Sequence, residues 1–404
     1  MSPRKHSSPS SRSPIRREET ARAIGLYLHF PFCLSKCAYC DFTSAPIESL
    51  GGLPAARRYL SALNNELDLR AASAEFHSAA VDTIYLGGGT PTVLPAEWIA
   101  EVVSRARMRF CVAEDAEITV EANPGTVDEA KMRALLAAGV TRVSLGVQSF
   151  SDPVLAVLGR CHSAAEAEAA IGAIRAAGCA SLNLDLIYGA PSQSMEEWRE
   201  ALQRALAARP EHISAYGLSV EEGTPLAEAI ESGELPEIDQ DLGGDMYQMA
   251  AEVLTGAGYA HYEISNFALP GRECRHNRRY WAGDEYLGAG VSAHSYRGGW
   301  RWNNADSLPV YLDWLEKGLL PVARAEALSP RERVGELLIL GLRREEGVTE
   351  VELVEQCGIG PREVFGDEID GLCEQGLLSY SEGRLRLPPG EWLISNEVLA
   401  RFVT

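Results

Sequence analysis

The stretch Gly25-Leu-Tyr-Leu-His-Phe30, followed at once by Cys33-Leu-Ser-Lys-Cys37-Ala-Tyr-Cys40, decides how this chain is read. The first part is a short apolar run with the look of a buried strand. The second puts three cysteines within eight residues on the loop that leaves it. Outward from there, short apolar runs recur at Thr83–Leu86, Glu117–Glu121, Arg142–Gly146, Leu182–Ile187 and His212–Tyr216. Between them, stretches rich in Ala, Leu and Glu near 55–75, 95–108, 128–138, 163–177 and 194–207 carry helical periodicity. About six strand–helix units at spacings of roughly 30–35 residues predict βαβ repeats and a parallel sheet. Such a sheet rolls into a partial or full (β/α) barrel. A doubly wound open sheet is the alternative, and periodicity does not separate the two.

Composition bounds the function. The 404 residues are 46% hydrophobic and 23% charged, which excludes a disordered or fibrous chain. A net charge of −20 argues against a general nucleic-acid binder. No run of about 18 apolar residues suggests a transmembrane helix, and the expected compartment is the cytoplasm. Nine cysteines, an odd number in a large chain, fit a reducing compartment with thiols available for metal. Residues 1–20 read as a disordered tail rich in Ser, Pro and Arg. The lack of acids before Glu18 is a transit-peptide trait, but Pro3, Pro9 and Pro14 break any amphipathic helix there.

The expected organisation is this tail, a core over 21–265, an excursion and connecting segment over 266–325, and a C-terminal domain over 326–404. Residues 266–304 are dense in aromatics, Gly, Asn and Arg, and read as a functional excursion rather than a core element. Ser329-Pro330-Arg331-Glu332 is a helix start. From there three helices and a hairpin about Glu382-Gly383 are expected, the pattern of a small winged-helix-like α/β domain. Residues 329–404 hold eight Arg against fifteen Asp and Glu, so DNA contact is not expected.

Zinc does not explain the cysteine cluster well, because a structural zinc site wants four ligands. The remaining cysteines (Cys111, Cys161, Cys179, Cys274, Cys357 and Cys373) are scattered singly. Three thiolates on one loop instead suit three irons of a [4Fe-4S] cluster, leaving the fourth iron open. The C-x3-C-x2-C spacing, with Tyr39 before the last cysteine, resembles the radical SAM superfamily. That resemblance implies S-adenosylmethionine chelated at the open iron and cleaved at its sulfonium by an electron from the cluster.

The other pieces stand at expected strand ends: Gly87-Gly88-Gly89-Thr90-Pro91, Glu121-Ala-Asn-Pro124, Gly146-Val-Gln148, Gly159-Arg160-Cys161-His162 and Asn183-Leu-Asp185. Together with Tyr27–Cys33 and Leu393–Val398, they resemble the branch that holds oxygen-independent coproporphyrinogen oxidases and HemW-type heme chaperones. The resemblance runs from about Gly25 to the C-terminus. It implies cluster ligation by Cys33, Cys37 and Cys40, and contacts to S-adenosylmethionine from Tyr27, Gly88, Gly89, Thr90, Glu121, Gln148, Arg160 and Asp185.

Two departures favour the chaperone group over the oxidases. Asp41-Phe42 stands where the oxidases carry a further cysteine, and only 32 residues precede Cys33 in place of a long N-terminal arm. In addition, His276-Asn277-Arg-Arg-Tyr280-Trp281 resembles the heme-binding motif of the chaperone group. It implies heme with His276 as axial ligand, Asn277 fixing the imidazole tautomer, and Tyr280 and Trp281 nearby; Cys274 and Tyr280 are alternative ligands. The competing reading makes His276 and Trp281 packed core residues. His29 and His294 are lesser candidates. The resemblance further implies delivery of heme to membrane respiratory heme-protein subunits and an electron donor for the cluster; the alternative it leaves is an oxygen-independent coproporphyrinogen III oxidase that decarboxylates porphyrinogen propionates.

Overall fold

In the computed structural model, β1 (Ile24–Phe30), β2 (Ala80–Gly88), β3 (Cys111–Ala122), β4 (Arg142–Gln148), β5 (Leu182–Tyr188) and β6 (His212–Gly217) form six parallel strands. The structure describes residues 23–77 and 79–403, so the tail expected at 1–20 lies outside the described residues. β1 is buried at six of seven positions and β4 at all seven. Burial on alternate residues would mark a one-faced sheet. Continuous burial means that both faces are covered, one by the barrel interior and one by helices.

The six strands follow chain order across the sheet, each parallel to the next. Leu26 sits opposite Ile84 and Ile84 opposite Ile118. A doubly wound sheet reverses its order part-way, so the sequential order excludes that alternative. The sheet does not close on itself. β1 is flanked by the parallel strand Tyr286–Ala289, and β6 by the antiparallel strand Asn266–Ala268. The fold is therefore a partial (β/α) barrel.

Helices Gly52–Ala72, Ala96–Arg109, Glu129–Ala137, Ala164–Ala176 and Met195–Ala207 cover the outer face. Ser163 and Ser194 open the last two with capping boxes to Glu166 and Glu197.

The segment 266–304 is not a loop excursion. It supplies strands Asn266–Ala268, Tyr286–Ala289, His294–Arg297 and Trp300–Asn304, all within the main twelve-stranded sheet. Strands of three to five residues are too short to show a period, which is why composition alone misreads them. Between them, helix Arg275–Trp281 plugs the N-terminal mouth of the barrel. Its side chains meet Thr83 and Asp82 at the start of β2 and the main chain of Ala23.

Residues 330–341, 350–357 and 361–374 are helical and are followed by the hairpin 379–381/384–386. Strand Val348–Thr349 completes a three-stranded sheet. Glu332 N–H donates to Ser329 Oγ and Ser329 N–H to Glu332 Oε2, the reciprocal cap expected at this start. This domain has its own core around Val334, Leu338, Phe365, Ile369 and Phe402. Among the described residues, no helix is long and apolar enough to cross a membrane.

Candidate functional site

The C-terminal ends of the parallel strands surround a cavity of about 450 Å³. Catalytic and binding groups gather at this end of such barrels because the βα loops, not the strands, are free to vary. The cavity is lined by Cys33, Cys37 and Cys40, by Gly88, Gly89 and Thr90, and by Glu121, Gln148, Arg160 and Asp185. Five strand ends thus bring together ten of the fifteen residues that the sequence singled out.

The cysteine loop is fastened by its own main chain. Ala38 N–H donates to Leu158 O (3.1 Å), and Ala38 O accepts from Leu226 N–H (2.9 Å). Ala45 N–H donates to Pro31 O, 2.9 Å away. His29 Nε2 donates to Thr43 O (2.8 Å), so its Nδ1 accepts from the Tyr27 hydroxyl (3.1 Å). Burial lowers the His29 pKa and keeps the ring neutral. Gly88 is a glycine for a reason set here. Its φ is +105°, and a Cβ would stand 2.3 Å from His29 Cε1. Close packing against His29 thus accounts for it without a ligand.

Arg160 ties three strand ends together. It donates to Cys37 Sγ (3.0 Å), to Gly146 O (3.0 Å) and to Asn123 Oδ1. Asn123 Nδ2 donates in turn to Thr90 Oγ1 (2.6 Å), whose hydroxyl lies 3.9 Å from Cys33 Sγ. Glu121 accepts from the Tyr85 hydroxyl (2.9 Å) and from Gly88 N–H (3.0 Å). Burial pushes its pKa up to about 7, with nearby Asp185 adding to the rise. Asp185 is raised by burial as well, although Ser144 Oγ (2.9 Å) and Asn183 Nδ2 (2.8 Å) donate to it. Gln148 is held at φ +63°, beside a register shift between Gly146 and Gln148. For a residue with a Cβ that conformation costs about 1–3 kcal/mol, strain of a kind that gathers at ligand sites.

These residues fit the inferred cluster and cofactor. The donors are three unpaired thiols on one loop, and burial raises the pKa of Cys33 and Cys40, so metal binding must displace their protons. No three potential ligand side chains among the described residues converge on a single metal ion. Arg160 Nε is buried with no partner, so this polar wall has donor capacity left for a ligand.

Five predicted residues lie elsewhere. Tyr27 is inside the barrel, stacked on Tyr85 with ring centroids 6.2 Å apart. His276 is 1% exposed at the opposite, N-terminal mouth. Its Nδ1 is bonded to Thr83 Oγ1 and its Nε2 to the Tyr280 hydroxyl, each at 2.9 Å. Its ring leans on Tyr85, and burial lowers its pKa to about 3. With both nitrogens engaged, the expected axial ligand is not available in this conformation. Thr83 and Tyr280, not Asn277, orient the ring. Trp281 is half-buried, with Arg343 over its ring.

Two residues that the sequence reading does not place in the site, Asn123 and Tyr39, belong to it. Asn123 follows Glu121 at the strand end, and Tyr39 is the aromatic before Cys40. Both line the cavity, as do Tyr85, Ser144 and Tyr216.

Residues 27–205 match the Radical SAM superfamily, and residues 328–394 match the HemN C-terminal domain. The heme chaperone HemW of Mycobacterium tuberculosis is 40% identical over 93% of this chain and 94% of its own length. The chain belongs to the HemW family of radical SAM proteins. HemW of Bacillus subtilis is 33% identical over 93% of this chain and 98% of its own. The solved structure of Escherichia coli HemN, a coproporphyrinogen III oxidase and radical SAM enzyme, is 26% identical and superposes with a TM-score of 0.82. It covers 95% of this chain and 90% of that one. Membership of the superfamily implies a [4Fe-4S] cluster and S-adenosylmethionine.

Proposed function

We propose that this chain is a heme chaperone. In this reading it binds heme, holds a [4Fe-4S] cluster through Cys33, Cys37 and Cys40, and binds S-adenosylmethionine in the strand-end cavity. It passes heme to membrane respiratory heme-protein subunits during transient encounters in the cytoplasm and draws electrons from a separate donor. The observation that carries the reading is the likeness to HemW chaperones along nearly the whole of both chains. The cavity adds to it, because Phe42 lines the wall at the position where the oxidases have their further cysteine.

When bound, the cluster and cofactor supply one-electron cleavage of a sulfonium C–S bond. The chain's own part is to hold and orient. Arg160 and Asn123 fix the cysteine loop against β3 and β4. Half-buried Glu121 and Asp185 present carboxylate oxygens to polar groups of the cofactor, and Gln148 lines the same cavity beside them.

Heme contacts at His276, Asn277, Tyr280 and Trp281 require a rearrangement. The Thr83 or Tyr280 bond must open, and the helix must leave the barrel mouth. The test is a heme titration of the anaerobically reconstituted full chain, run beside an assay with coproporphyrinogen III, reductant and S-adenosylmethionine. Saturable growth of a Soret band and no protoporphyrinogen are expected. Protoporphyrinogen formation overturns the chaperone reading in favour of the oxidase. Loss of the Soret band in a folded His276→Ala variant places the iron at the motif, and its retention places the iron elsewhere.

A further inference from the structure

A second cavity, about 600 Å³, opens at the other end of the barrel, beneath the N-terminal ends of β2–β4 and against helix Arg275–Trp281. Six arginines line it: Arg142, Arg272, Arg275, Arg278, Arg279 and Arg344. Most are committed within the protein. Arg279 pairs with Asp82 and, at 3.8 Å, with Asp284; Arg275 donates to Asp115 O (2.8 Å). Arg278 and Arg344 both reach Glu346, at 3.1 and 3.6 Å. Glu117 is also engaged, accepting from the N–H groups of Arg275 (3.2 Å) and His276 (3.1 Å).

Arg142 differs. It is 2% exposed, at the first position of β4, and its Nε has no hydrogen-bond partner. A buried guanidinium nitrogen without an acceptor is unfavourable, and such groups are nearly always satisfied by protein, water or ligand. Arg142 lines this cavity, so an acceptor can reach it from there. A cation is a poor occupant beside the fixed positive charge of Arg142. A polyanion is disfavoured by Glu114 and Glu273 in the same wall. What suits a guanidinium fork in mixed surroundings is a single planar carboxylate, which takes two parallel N–H bonds.

We propose that this cavity is a carboxylate-binding site in which Arg142 grips the ligand. The carboxylate comes either from a small free acid or from the propionate of a porphyrin. The site rests on the cavity and Arg142 alone, so it stands or falls separately from the heme reading.

The test uses the full, cluster-reconstituted chain at constant ionic strength. Succinate binding is measured by calorimetry, and iron protoporphyrin IX is compared with its dimethyl ester by absorbance. The expected result is that at least one acid probe binds, that its ester binds at least tenfold more weakly, and that Arg142→Gln weakens the acid probe at least tenfold while Arg142→Lys recovers part of the loss. Succinate binding identifies a free acid as the ligand class; discrimination only between the porphyrin acid and its ester identifies a propionate. Should Arg142→Gln not fold, the wild type decides alone by the preference of either probe over its dimethyl ester. Equal binding of acid and ester for both probes, a folded Arg142→Gln with unchanged affinities, or displacement of succinate by phosphate at equal concentration overturns the proposal.

Discussion

Gly88→Ala should damage the cysteine loop without touching a cysteine. Two effects add. The backbone at Gly88 has φ +105°, where a residue with a Cβ is strained by about 1–2 kcal/mol. The new Cβ would also lie 2.3 Å from His29 Cε1 and 2.4 Å from its Nδ1, so the ring must move. A displaced ring gives up its 2.8 Å bond to Thr43 O, worth about 1 kcal/mol. The sum is a destabilisation of about 2–3 kcal/mol, concentrated where Thr43 restrains the loop. Urea unfolding of the metal-free chain measures the first quantity, and iron bound per chain after anaerobic reconstitution measures the second. Both should fall. The double variant His29→Ala/Gly88→Ala removes the clash and should unfold at a higher urea concentration than additivity of the single variants predicts. A single variant within about 0.5 kcal/mol of wild type and with full iron would refute this account of Gly88.

Cys40→Ser should abolish the brown iron–sulfur chromophore while leaving far-UV circular dichroism unchanged; retained iron absorbance would remove Cys40 from the ligand set. Glu263 is 1% exposed, its Oε1 has no partner, and burial pushes its pKa up to about 7, against 4.5 for an ordinary glutamate. Its favourable contribution is complete below pH 4.5 and is lost as pH rises through 7. Glu263→Gln should therefore gain on wild type as pH rises from about 4.5 to about 7, by up to about 3 kcal/mol, with no further gain above that, and a pH-independent difference in urea midpoints would count against it. His276→Ala should lower stability by about 2–4 kcal/mol, because it empties a fully buried site and strands the Thr83 and Tyr280 hydroxyls; thermal unfolding that matches wild type would show that the ring does not brace the barrel mouth.

The parts of this structure that follow a period were readable from the chain. Continuous apolar runs became the barrel strands, and Ser-x-x-Glu boxes began helices where they stood. The cysteine loop and the strand-end residues came together because chain order puts every such end on one side of the sheet. The short strands between 266 and 304 were not readable, since each is stabilised by pairing with a neighbour rather than by its own pattern. The surroundings of His276 were hidden for a related reason. The Thr83 partner of its Nδ1 is 193 residues away in the chain, so no local motif could report that the imidazole was already engaged. Asn123 was within reach, because a polar side chain at the end of a barrel strand, two residues past a carboxylate that the apolar strand half-buries, is well placed for the site.

The fastening of the Cys33–Cys40 segment has a consequence for maintenance. Its anchors are peptide groups, one imidazole and the Arg160 guanidinium, and none of them depends on iron. A molecule stripped by oxygen therefore keeps its socket shaped, with Leu158 and Leu226 still gripping Ala38. Restoring it becomes a matter of supplying inorganic material to a waiting mould, and the polypeptide need not be rebuilt around it.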